Sequence, residues 1–135
     1  MDRTFNVLPL GFNGFLSPIG GADGTGGTFA DTLRAFKLGS TIPVKFTASC
    51  NGTAVLTGIH TLQAIKYSNA TDSDSPIDAT PTDAVTTGNQ FRLTDSEWHF
   101  NLSTKAGTGF TQGTWKLIAT LSDGSQHYVW IAIKK

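Results

Sequence analysis

The side chains that could do chemistry in this sequence are few and scattered. Asn69, Asp72 and Asp74 offer hard oxygens at D-x-D spacing, the ligand type that calcium prefers. Nothing around them follows an EF-hand or a calcium-binding repeat, and acids in such a loop are ordinarily solvated. Calcium at Asp72 and Asp74 is the one cofactor the residues suggest, and none is otherwise expected. His60, His99 and His127 fall on three separate predicted strands, without the H-x-x-x-H or Cys/His spacing of a zinc site. No G-x-S-x-G elbow presents a serine nucleophile, so no catalytic residue is assigned and the chain is expected not to be an enzyme. Lys45 could form an internal isopeptide bond only if its amine were buried beside a carboxylate or amide and held neutral. A surface or snorkelling lysine is the simpler reading.

Aromatic side chains offer a different chemistry, because sugar rings lay apolar C–H faces on aromatic planes. Tyr67, Trp98, Trp115, Tyr128 and Trp130 qualify by type, and Tyr128 and Trp130 form the candidate ligand platform. In a domain of this size most such residues belong to the core. Cys50 is the only cysteine, which excludes an intrachain disulfide and a multi-thiolate metal site.

The elements that must position these residues read as strands. Charged residues are 15% of the chain, against about 25% in typical domains, and no Ala/Glu/Lys/Leu-rich stretch suggests a helix. Ten basic residues balance ten acidic ones with no basic block, so nucleic acid and anionic membranes are poor partners. The N-terminal apolar stretch is broken by Pro9, Gly11, Asn13, Gly14 and Pro18, so neither a signal-peptide core nor membrane insertion is expected.

A single domain over residues 1–135 is expected, built of about eight or nine short strands between turn clusters. Residues 1–19 read as edge strands, since Pro within a strand run marks an edge or a bulge. Residues 20–28, GGADGTGGT, read as a glycine-rich mobile loop, and residues 68–88 as a long acidic, proline-containing loop. Thr41–Cys50 alternates Ile42, Val44, Phe46 and Ala48 against polar neighbours, and Glu97–Ser103 does the same with Trp98, Phe100 and Leu102. Asp123-Gly124 suits a two-residue type I′ turn between Thr114–Ser122 and Gln126–Ile133. That register sets Leu117 opposite Trp130 and leaves Val129, Ile131 and Ile133 on a second apolar face. Something must cover that face: the N-terminal strand, the other sheet or a partner. An odd-length loop would change which aromatics meet Trp115.

Three stretches resemble a family of bacterial modules named for a PxKF motif, which here is Pro43-Val44-Lys45-Phe46 within Gly39–Phe46. Phe12-Asn13-Gly14-Phe15-Leu16-Ser17-Pro18 resembles the family's opening F-x-G-F-x-x-P, and Thr120–Ser125 its closing L-x-D-G hairpin. The resemblance implies an immunoglobulin-like antiparallel β-sandwich appended to larger exported or surface proteins, extracellular and without catalytic residues. Many members of that family carry paired cysteines in the middle of the domain, where this chain has only Cys50.

The functional expectation is a non-catalytic accessory or structural module partnered by other domains of a surface protein. A self-assembling filament, coat or virion-surface subunit is the first alternative. Copies would then join by N-terminal strand addition through Phe5, Val7, Leu8, Leu10, Phe12 and Phe15, with Val129, Ile131 and Ile133 as the remaining interface candidates. A carbohydrate-binding module is the second.

Overall fold

An alternation of apolar and polar side chains buries one face only in an extended segment, because successive residues of a strand point to opposite sides. The computed structural model, which describes residues 11–16, 18–21, 25–50, 52–82 and 88–135, has both alternating segments as strands. In chain order the strands are β1 (Gly11–Phe15), β2 (Arg34–Lys37), β3 (Thr41–Cys50), β4 (Thr53–Ala54), β5 (Thr61–Tyr67), β6 (Ile77–Asp78), β7 (Arg92–Thr94), β8 (Glu97–Ser103), β9 (Gly113–Thr120) and β10 (Gln126–Lys134). Among the described residues there is no helix, and so none long and apolar enough to cross a membrane.

The strands form two five-stranded sheets. The first runs β1-β3-β8-β7, with β4 beside β3, and the second runs β2-β10-β9-β5-β6. The strands outnumber the eight or nine expected because of β4 and β6, which are two residues each. The second sheet is mixed rather than wholly antiparallel: β2 lies parallel to β10, pairing Arg34 with Ile131 and Lys37 with Lys134. A parallel pair cannot be closed by a short turn, and here nearly the whole domain forms the connection.

Between the sheets lies one apolar cluster. Ile42, Val44, Phe46 and Ala48 of β3 and Trp98, Phe100 and Leu102 of β8 meet Leu62, Ala64, Trp115, Leu117, Ala119, Val129, Ile131 and Ile133 of the second sheet. Phe46 packs its ring near-perpendicular to Phe91 at 4.8 Å and to His60 at 5.8 Å. Truncating so enclosed an aromatic to alanine costs about 3–5 kcal/mol.

The last hairpin departs from the expected register by one residue. Val129, not Trp130, faces Leu117, and Ile131 faces Trp115. The loop has three residues, closed by Leu121 N–H to Ser125 O and Gly124 N–H to Leu121 O, both 2.9 Å. Gly124 has φ +88° while Asp123 does not enter the positive region, so the pair does not make a type I′ turn. That turn occurs instead between β7 and β8, where Asp95 and Ser96 have φ 51° and 67° and Thr94 pairs with Glu97. The slip reverses the two faces of β10 relative to β9: Val129, Ile131 and Ile133 join Trp115 and Leu117 in the core, and of the three covers open to the second apolar face it is the other sheet, not a partner, that lies over them.

At the other end of the chain, β1 lies at the edge of the first sheet, paired with β3 across a bulge between Phe12 and Phe15. Phe15 is buried, and Phe12 is half-buried against Phe15 and Phe46. Phe5, Val7, Leu8 and Leu10 lie outside the described residues. The described part of the glycine-rich segment is hydrogen-bonded rather than loose. Gly26 O accepts the Trp130 N–H at 2.7 Å and Leu33 N–H donates to Trp130 O at 2.9 Å, so residues 26 and 33 flank the edge of β10. Gly27, at φ +84°, permits this, since a Cβ there would lie 2.6 Å from Leu33 N.

Candidate functional site

In paired strands, residues opposite one another share a face, so the register names the outward side chains of the second sheet. Trp130, Lys116 and Ile65 form one row across β10, β9 and β5. Tyr128, Ile118 and Gln63 form the next, and Ala132, Thr114 and Tyr67 the row on the other side. Aromatic and aliphatic side chains thus lie on the side away from the core.

These side chains touch. The Tyr67 ring packs on Trp130 with centroids 4.7 Å apart, and Phe29 meets Trp130 edge-on at 6.4 Å. Phe29 is carried there by a tight turn in which Thr28 N–H donates to Asp31 O at 2.9 Å and Asp31 N–H to Thr28 Oγ1 at 3.1 Å. Lys116 Nζ sits 4.3 Å from the Tyr128 centroid and 5.4 Å from the Trp130 ring, a double cation–π contact. Trp130 is only 9% exposed, so it forms the floor of the site, whereas Tyr67 and Tyr128 are half-buried.

Charge on this face is positive over β2, β10, β9 and β5, with the Asp78 carboxylate on the same face at the β6 edge. The outward positions of β2, β10, β9 and β5 include Lys37, Lys134 and Lys116 and no carboxylate. The Asp78 carboxylate accepts from Gln63 Nε2 at 2.9 Å and Asn89 Nδ2 at 3.4 Å. Sequence reasoning picked out Tyr128, Trp130 and Tyr67 by residue type. It missed Lys116 and Phe29, whose places depend on the hairpin register and the loop path; of the two only Lys116, between Trp115 and Leu117 of an alternating strand, carried a periodicity signal.

The remaining candidates sit apart from this face. Pro43 and Lys45 are half-buried on the outward side of the first sheet, with Lys45 opposite His99, while Val44 and Phe46 are in the core. Among the described residues no carboxylate lies within 4.0 Å of Lys45 Nζ; His99 Nε2 has Glu97 Oε1 at 3.2 Å. His127 stacks on Phe12 at 4.1 Å. In the loop after β5, Asn69 Oδ1 accepts from Thr71 N–H, Thr71 Oγ1 and Asp72 N–H, and Asn69 Nδ2 donates to Asp72 Oδ2 at 2.8 Å. The Asp72 carboxylate thus closes its own loop. Among the described residues no group of three or more His, Cys, Asp or Glu stands close enough to hold a metal ion.

His60 is the buried titratable group. Its Nδ1 accepts the Ser122 N–H at 3.1 Å, which leaves Nε2 to donate to Thr57 O at 3.3 Å. Burial pushes its pKa below the ordinary 6.5, against smaller upward pulls from the Thr57 carbonyl and the Asp123 charge. With both ring nitrogens committed to the backbone and Trp98 packed edge-on at 4.4 Å, it ties the loop before β5 to the β9–β10 turn.

No protein-family model matches this chain, and neither does any curated protein or solved structure.

Proposed function

We propose that this chain is a non-catalytic, immunoglobulin-like β-sandwich module of an exported or cell-surface protein. The strand order carries this reading. β1-β3-β8-β7 corresponds to the A-B-E-D sheet of an immunoglobulin domain, and β10-β9-β5-β6 to its G-F-C-C′ sheet, with β2 as an additional edge strand. Such folds owe their biological role to surfaces grafted on a stiff frame. The PxKF segment supports the same reading: it lies on β3, its Val44 and Phe46 in the core and its Pro43 and Lys45 outward. Low charge and abundant Thr, Ser and Gly suit a chain that works outside the cell.

Two measurements test the proposal. Limited proteolysis with thermal denaturation should find a resistant chain melting in a single transition, and an antibody against it should label intact cells of the source organism. Labelling only after permeabilisation overturns the surface reading, and turnover of a substrate overturns the non-catalytic one.

The alternative of a self-assembling subunit draws on the edge position of β1, directly after the apolar run Phe5–Leu10. Strand addition between copies would use such an edge.

A further inference from the structure

The outward face of the second sheet has properties that together select a class of ligand. Its aromatic rings lie over a sheet: Trp130 as floor, Tyr67 packed on it at 4.7 Å, and Tyr128 two positions along the same strand face. The Tyr67 ring is inclined 59° to Trp130, so the rings make an uneven apolar surface, which suits a partner with apolar C–H faces of its own. Its central charge is the Lys116 ammonium, held between the Tyr128 and Trp130 rings at 4.3 and 5.4 Å, and among the described residues no carboxylate comes within 4.0 Å of it. Lys37 and Lys134 add charge of the same sign at the end of the face, in a chain whose formal net charge is zero. Between the rings stand neutral donors and acceptors, Thr114 and Gln63.

We propose that this face binds an acidic oligosaccharide. A carboxylate-bearing pyranose sets its anion on Lys116 and its C–H face on Tyr128, and neighbouring sugars extend toward Tyr67. By strand geometry the Cα atoms of Tyr67 and Tyr128 are roughly 16 Å apart, and their rings, joined through Trp130 and Lys116, lie within about 14 Å of each other, room for a short chain of sugars. Nucleic acid fits less well, because so few lysines release few counterions from a phosphate backbone. The inference deepens the reading of the chain as a non-catalytic module by giving the module a ligand.

The test uses the full chain and tetragalacturonate, with its fully methyl-esterified form as the uncharged counterpart. Calorimetry and tryptophan fluorescence should register binding of the acid, weakened about tenfold or more by esterification, by Lys116→Gln or by Tyr128→Ala. Lys45→Gln, on the opposite sheet, should leave it unchanged, and Lys116→Gln should keep the parent melting temperature. The proposal is overturned by absence of binding at about 1 mM acid, by equal binding of the ester, or by indifference to Lys116→Gln. Equal affinity for oligothymidylate or phosphatidylglycerol vesicles also overturns it. Mass spectrometry of the mixture separates the two readings: shortened saccharide would sink the non-catalytic assignment while the binding data still judge the site.

Discussion

His60 makes the stability of this protein depend on pH through one side chain. In the folded chain Nδ1 must stay unprotonated to accept from Ser122, and burial lowers the pKa below 6.5. The unfolded chain takes up a proton near that value while the folded chain does not. The stability contributed by a neutral His60 is therefore complete above the unfolded pKa and is lost as pH falls below it toward the folded pKa. Melting temperature should drop between about pH 7 and pH 5. His60→Phe keeps an aromatic ring but strands the Ser122 N–H, so it should cost about 1–3 kcal/mol at neutral pH and flatten that slope. Equal slopes in parent and variant would remove His60 from this role. The sequence offered the histidines only as three dispersed residues; burial of this one depends on a turn sixty-two positions away, beyond the reach of spacing.

At the scale of elements, the strands with strict alternation were legible and the turns were not. β3 and β8 match the expected bounds, because a period of two over seven or more residues has only one extended solution. Asp-Gly, in contrast, suits both a two-residue loop and a type I turn with Gly in the left-handed region, and the choice moves every facing pair by one. The consequence was large, since Val129, Ile131 and Ile133, expected on a face apart from Trp115 and Leu117, share the core face with them, and Tyr128 and Trp130 are outward. The two positive-φ turns predict opposite mutational signs. Nothing lies within 4 Å of a Cβ built at Gly124, so Gly124→Ala should lose about 1–2 kcal/mol through backbone strain alone. Ser96→Gly relieves the same strain at φ 67° and should gain about 0.5 kcal/mol after the added unfolded-state entropy. Denaturant midpoints of the two variants check both, and a destabilised Ser96→Gly would contradict the turn assignment.

For the whole molecule, composition and periodicity made the all-β, two-sheet architecture legible, while the parallel β2–β10 pairing was not, because it joins residues about a hundred positions apart. The candidate ligand face was half legible for the same reason: type marks an aromatic, but only register places Lys116 between two of them. Removal of residues 1–10 leaves β1 on β3 and separates two roles for the apolar N-terminal run. A monomer with unchanged melting temperature by light scattering and calorimetry would end the strand-addition alternative, whereas loss of a native oligomer with the fold kept would favour it. The parallel pair also has a mechanical meaning. Because β2 and β10 run the same way, tension applied through the two ends of the chain draws β2 backward and β10 forward. The bonds between them, including Leu33 N–H to Trp130 O at 2.9 Å, are then loaded together in shear instead of being peeled one at a time. Leu33→Pro deletes that donor. In a single-molecule pulling experiment it should lower the rupture force more than a substitution on β6 with the same thermal cost, which would make the edge of β10 a clamp against stretching.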